Sequence, residues 1–306
     1  MRPLISVAMI TYNHEKFIEK AIESILSQKH NFEIEIIVGE DYSQDKTREK
    51  LRKYEKYKNI KIIKRNKNIG VVKNILEVYK ECKGKYIALL EGDDYWKDEY
   101  KLLKMVNFLE NNNYIGVFSE VDYVDENNNQ NIIENNKTRL YKDIESVNDI
   151  FEEAFIPTCT LIFKNIWGDN FCKIYEKWLK NITYICDLQL KILLAENGKI
   201  KYFSEKMSAY RYITVGSTSF SSQNTELKIK DEFIAYKNIS ENMLQSNSKV
   251  ENKIRILLLK IMFEKIKCLD MKSLVKIVIE NRRNLGLLKI LYIFLEKMKK
   301  DKNNAK

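Results

Sequence analysis

The chain has 306 residues, 44% of them hydrophobic, enough for one large α/β core with an appendage or for two cores, and its two prolines and nine glycines exclude collagen-like or loop-dominated architecture. The net charge of +10 is unevenly placed: residues 251–306 hold 15 Lys and Arg against 6 Asp and Glu, whereas the remaining 250 residues hold 38 against 37. A near-neutral main body lacks the basic face of a nucleic-acid-binding domain, so no nucleic-acid partner is expected.

Met1-Arg2-Pro3 leads directly into the apolar run Leu4–Ile10, which reads as a strand buried on both faces; no leader is expected. Residues 16–28 carry apolar side chains at helical spacing. Ile34–Val38 reads as a second strand, followed by the polar stretch Gly39–Thr47, with Ser43 or Asp45 as N-cap of a helix to Tyr57. Ile60–Ile63 is a third strand, Val71–Cys82 a helix and Tyr86–Leu90 a fourth strand. Further on, the pattern predicts a helix at Leu102–Leu109, a strand at Gly116–Ser119, and an exposed loop at Asn127–Asn131 and Asn135–Asn136. Val147–Phe155 reads as a helix and Cys159–Phe163 as a strand. A helix over Cys186–Glu196, ended by Asn197-Gly198, precedes two short strands, Ile200–Phe203 and Ser208–Tyr212. A polar loop, Thr214–Asn224, leads into helical sequence to Met298. Strand–helix alternation at this spacing predicts a doubly wound, mostly parallel α/β sheet over residues 1–224 and a C-terminal basic amphipathic helical region over 225–306.

Five scattered cysteines without a CxxC pair read as reduced thiols of a cytoplasmic protein, and two histidines exclude a His-rich metal centre. No run of about 18 uncharged apolar residues occurs, so no membrane span is expected. The basic C-terminal helices have two readings. They form a bundle packed on the body or on a second copy in a homo-oligomer, or they lie on the inner face of the plasma membrane.

The densest chemistry is Glu91-Gly92-Asp93-Asp94, three carboxylates in four residues at a strand end. Like charges that close repel, and burial makes them costlier, so the cluster calls for a cation. Hard oxygen donors suit Mg²⁺ or Mn²⁺ carrying a substrate phosphate. In a doubly wound sheet, ligands sit beyond the carboxyl ends of the strands. Thr11-Tyr12-Asn13, Glu40-Asp41 and the 91–94 cluster all follow strands, so they are expected on one rim.

These segments resemble family 2 glycosyltransferases, inverting enzymes with the nucleotide-sugar-binding GT-A fold. The resembling blocks are Pro3–Val7 with Thr11-Tyr12-Asn13, Glu40–Thr47, Asn68-Ile69-Gly70, Glu91–Asp94, and Cys186–Leu190 with Gly198-Lys199-Ile200 and Tyr210-Arg211, in order over about residues 3–220. The resemblance implies a metal-dependent hexosyltransferase-type enzyme. It would move sugar from a nucleotide diphosphate, UDP-sugar foremost, to a glycan or lipid-linked acceptor in bacterial surface-polysaccharide assembly. Carried over, it implies that Glu40 reads the base edge and that Thr11, Tyr12, Asn13, Asn68, Asp93 and Arg211 bind the nucleotide sugar. Asp94, Asp93 and Glu91 would hold Mn²⁺ or Mg²⁺, and Asp187 would be the general base. Two departures stand out: Glu40 is one methylene longer than the commoner Asp, and the loop after Tyr212 lacks the family's His, leaving Thr214, Ser217 or backbone for phosphate contacts.

Plainer roles compete. From spacing alone Asp187 reads as an N-cap. Asp41 reads as a structural acid fixing a turn, Asn68 and Gly70 as turn formers, and Trp96 as packing under the acid loop. Arg211 divides between a bidentate phosphate contact and a salt bridge. For catalysis, burial or neighbouring acids are expected to raise the Asp187 pKa usefully. Two other functions compete. A sugar-phosphate nucleotidyltransferase needs a Gly-rich basic loop after the first strand, where Thr11–Glu15 stands. A non-catalytic nucleotide-sugar or membrane-binding module would bind without turnover.

Overall fold

The computed structural model describes residues 4–135, 137–152, 154–166, 168–184, 186–212, 225–242 and 248–267. The chain divides into two compact units, Met1–Gln223 and Asn224–Lys306. The first alternates β1 (Ile5–Thr11), α1 (Ile18–Leu26), β2 (Ile34–Glu40), α2 (Thr47–Leu51), β3 (Ile60–Lys64), α3 (Val71–Glu81), β4 (Tyr86–Leu89) and the short β5 (Tyr95–Trp96). It continues through α4 (Lys101–Asn111), β6 (Gly116–Val124), α5 (Ile132–Asn135), α6 (Val147–Phe151), β7 (Ile162–Lys164), α7 (Asp169–Trp178), α8 (Asp187–Asn197) and β8 (Ile200–Arg211).

All eight strands join one sheet in the order β3-β2-β1-β4-β7-β6-β8-β5. The first four are mutually parallel; β7 runs antiparallel to β4 and β6, β6 and β8 are parallel to each other, and β5 closes the edge antiparallel to β8. The predicted doubly wound, mostly parallel α/β sheet is present. Burial on both faces explains the near-continuous apolar runs of β1 and β4. Ile18, Ala21, Ile22 and Ile25 of α1 form one buried stripe at helical spacing, which is why that helix forms. Chain order reverses at β1, which lies between β2 and β4. That switch opens the crevice where such sheets bind ligands.

Several elements differ from their sequence-based expectation. The strands expected at Ile200–Phe203 and Ser208–Tyr212 are one strand, β8. Its pairing with β6 slips between Ser119↔Phe203 and Glu120↔Lys206, and the exposed Ser204-Glu205 bulge imitates a turn in sequence. The helix expected to Tyr57 stops at Leu51 and tightens into one 3₁₀ turn, Arg52–Tyr54. Cys159–Phe163 is a 3₁₀ turn over Thr158–Thr160 followed by β7. The helix expected over Val147–Phe155 ends at Phe151, started by a Ser146/Asp149 capping box. Asn135 is not in an exposed loop: its side chain accepts from the Tyr123 N–H and donates to the Tyr123 carbonyl, pinning α5 to β6.

In the second unit, α9 (Thr225–Asn242) and α10 (Ser248–Lys267) pack together. Lys253 lies 3.2 Å from Glu232, and Ser240 donates to Glu251 at 2.7 Å. No helix among the described residues is long and apolar enough to cross a membrane. The Leu285–Leu295 run and the Thr214–Asn224 loop, with Thr214 and Ser217, lie outside the described residues.

Candidate active site

The rim predicted from sequence exists. Thr11, the last residue of β1, pairs with Glu40, the last of β2, and the Gly92 N–H donates to the Ile10 carbonyl at 2.9 Å. This draws the acid loop after β4 onto the end of β1. The approach is close enough that a Cβ at Gly92 would stand 2.7 Å from Thr11 Oγ1 and 3.0 Å from His14 Nδ1. Both of those atoms are buried without a partner.

The loops after β1 and β2 are laced together. The Asn13 N–H donates to Ser43 Oγ, and Asn13 Oδ1 accepts from the Gln44 N–H, with Asn13 in the left-handed region at φ 56°. The His14 N–H donates to Thr47 Oγ1, the Glu15 N–H to Asp45 and the Lys46 N–H to Glu15. Tyr12 is half-buried beside them. Glu40 is fully buried, and its oxygens are taken: Oε1 accepts from the Ser43 N–H at 2.6 Å and Oε2 from the Arg48 guanidinium. Asp41 accepts from the Ile69 and Gly70 N–H groups at 2.8 and 2.9 Å. It thus holds the Asn68-Ile69-Gly70 turn, where Asn68 Oδ1 also accepts from the Gly70 N–H and Gly70 takes φ 85°. Only glycine adopts that conformation without strain.

The three acids sort themselves. Asp94 is buried, and its Oδ1 accepts the Arg211 N–H at 2.7 Å. Burial, then Asp93 and Glu91, pushes its carboxyl well above the usual range. Glu91 has a buried oxygen without a partner, and burial with repulsion from Asp93 and Asp187 pushes it up to about 8. Asp93 keeps some exposure and stands 3.8 Å from His14 Nε2. Arg211 fastens the loop: its guanidinium nitrogens donate to the Asp93 carbonyl, the Asp125 carbonyl and Asn128 Oδ1, and it stacks 4.2 Å from the Phe17 ring. Trp96 packs beneath, donating to the Cys159 carbonyl at 3.0 Å.

No group of three or more His, Cys, Asp or Glu among the described residues is disposed to hold a metal ion. The donors nonetheless fit a divalent cation of the Mg²⁺ type, which is commonly held by one or two carboxylates plus substrate phosphates. The observation that carries the fit is local: an orphaned Glu91 oxygen and mutual repulsion among the acids, both of which a cation relieves.

Asp187 is the first residue of α8, and Cys186 occupies the N-cap position. Asp187 lies within electrostatic reach of Glu91. Its Oδ2 stands 2.5 Å from Lys191 Nζ and 3.5 Å from Thr158 Oγ1. The expected rise in its pKa does not occur. Burial pushes the carboxyl up, but the Lys191 ammonium, one turn along the helix, and the backbone N–H groups of Asp187 and Leu188 bring it below the usual value. Lys191, Thr158 and Lys101 were not singled out from sequence. The one available signal for Lys191 was a lysine four residues after an acid in an apolar helix.

The sequence model of Glycosyl transferase family 2 matches residues 6–168, more than half of the chain. The chain belongs to glycosyltransferase family 2. An uncharacterised protein of Mycobacterium tuberculosis is 31% identical to this family 2 chain over 209 residues, covering 67% of this chain and 58% of the relative. The putative teichuronic acid biosynthesis glycosyltransferase TuaG of Bacillus subtilis is 35% identical over 109 residues, covering 35% and 42%. The match thus spans less than two thirds of either curated relative's length, 58% of one and 42% of the other. Among solved structures, S. aureus TarS residues 1–349 with UDP-GlcNAc superposes with TM-score 0.59 at 19% identity, covering 84% of this chain and 72% of that one. The mannosyltransferase PcManGT of Pyrobaculum calidifontis, with GDP-Man and Mn²⁺, gives 0.53 at 12% identity over 97% and 80%. These likenesses fix the family 2 chain's fold as GT-A.

Proposed function

We propose that the chain transfers a sugar, with inversion, from a nucleotide diphosphate to a hydroxyl of a glycan or lipid-linked acceptor in cell-surface polysaccharide assembly. The observation that carries this reading is the meeting of an ionised Asp187 with the acid loop at the sheet's switch point. The TuaG likeness supports the polysaccharide context, and the UDP-GlcNAc neighbour supports a UDP-sugar donor.

Asp187 takes the proton of the acceptor hydroxyl as its oxygen bonds to the anomeric carbon and the bond to the diphosphate breaks. Thr11, Tyr12, Asn13 and the Asn68–Gly70 turn line the nucleotide's side of the crevice. With Glu40 held by Arg48 and Ser43, the base edge meets backbone groups and the Tyr42 face rather than a free carboxylate. Asp93 is the carboxylate placed to hold Mn²⁺ or Mg²⁺ with the donor's phosphates, while Asp94 and Arg211 keep its loop in place. Such an ion supplies Lewis-acid stabilisation of the leaving diphosphate. Residues 1–224 would carry this chemistry. The basic 225–306 region would pack as a bundle rather than lie on the cytoplasmic membrane face.

A panel of nucleotide sugars, scored for metal-stimulated hydrolysis and thermal stabilisation, tests the donor class. Asp187→Asn should lower turnover of the selected donor about a hundred- to ten-thousandfold with nucleotide binding retained. Unchanged turnover would remove Asp187 as the base, whereas donor binding without turnover in the wild-type chain would return it to the rank of a binding module.

A further inference from the structure

The proposed base has a resident counter-charge. Lys191 belongs to the otherwise apolar run Leu190–Ala195, and only 9% of it is exposed. A buried ammonium is costly without a partner, and this one has Asp187 Oδ2 at 2.5 Å. Thr158 Oγ1, presented by the 3₁₀ turn before β7, approaches the same oxygen. Both of these side-chain contacts fall on Oδ2, and the backbone N–H groups of Asp187 and Leu188 also bond the carboxylate.

The other titratable groups facing Asp187 are Glu91 on the acid loop, Cys186 on its own helix cap, Tyr79 on α3 and Tyr175 on α7. Burial raises Cys186, Tyr79 and Tyr175, so these three favour their neutral forms at neutral pH. Lys191 is then the counter-charge facing the carboxylate among the described residues.

We propose that Lys191 is a positioning residue for Asp187: it clamps Oδ2 and keeps the carboxylate in its proton-accepting form. The inference rests on the reading of Asp187 as general base. In each turnover the acceptor's O–H proton passes to this carboxylate as the glycosidic bond forms and the diphosphate departs. The adjacent ammonium then disfavours the protonated acid and returns the proton to water.

The test is a titration of the Asp187 carboxyl by ¹³C NMR in the full chain, assigned by difference against Asp187→Asn. Lys191→Met should move its midpoint to higher pH, and Lys191→Arg should return it. The acid limb of kcat for the donor selected by the panel should follow the same order, with the donor KM unchanged. Lys191→Gln, which keeps a hydrogen-bonding side chain but no charge, should behave as Lys191→Met and serves if the methionine variant does not fold. A midpoint and acid limb that stay in place in the uncharged variants overturn the proposal. Full turnover in Asp187→Asn is a different result: it removes the base reading while the titration still reports on the clamp.

Discussion

Glu40 and Arg48 show what one misplaced charge would cost. The Glu40 carboxylate is wholly buried, so its pairing with a partly exposed guanidinium is not an ordinary surface ion pair. Arg48→Met leaves that carboxylate without its cation and should destabilise the fold by about 3 kcal/mol, measured by urea unfolding. Lys101 poses the opposite problem. Fully buried, it donates to the Thr160 carbonyl at 2.9 Å, and burial, only partly offset by Cys159 and the Asp98 carboxylate, pushes its pKa down to about 7. The unfolded chain keeps this amine protonated to about pH 10, so between those limits it binds the extra proton and stability rises with pH. Comparing unfolding free energies of wild type and Lys101→Met at pH 7 and pH 10 should show that rise flattened in the variant. Neither partnership was legible in the sequence, because burial of a charged side chain is a tertiary fact. The acids themselves were legible: crowded carboxylates at a strand end are unusual at any burial.

At the scale of elements, close approach sets the limits. A Cβ on Gly39, near the end of β2, would stand 2.5 Å from Asn74 Oδ1 and 2.6 Å from Val78 Cγ2 of α3. Asn74 also donates to the Gly39 carbonyl at 2.8 Å. Gly39→Ala should push helix from sheet and cost about 1–3 kcal/mol, read from its thermal melt. The parallel strands and their helices were readable because an apolar run or a helical stripe reports its own burial. The two ends of β8 were not, because a polar bulge imitates a turn; α7 went unread although Tyr175, Trp178 and Leu179 form a buried stripe at helical spacing. The 3₁₀ turn at Thr158–Thr160 reads as a strand by composition. Its conformation depends on Lys101 and Trp96, which hold two of its carbonyls from elsewhere in the chain.

Across the whole molecule, charge and chemistry are segregated. The near-neutral body holds the candidate site, and the excess of lysine and arginine lies in residues 251–306. With the bundle reading, the full-length protein should sediment equally with anionic and neutral liposomes. A preference for anionic vesicles that fades with salt and is absent in a chain ending at Asn224 would assign the tail to a membrane surface. The convergence of Thr11, Glu40 and Asp93 could be anticipated because fold class dictates where strand ends meet, whereas Asp187, at a helix start, was assigned a role only by the family resemblance. The roles within that group could not, since they follow from which carboxylate finds a partner first. The lacing between residues 13–15 and 43–47 carries a last consequence. One wall of the cleft is already set before any nucleotide arrives, so little chain ordering remains to oppose docking there. Discrimination between donors should then appear as differences in how long each one stays, with entry rates nearly alike.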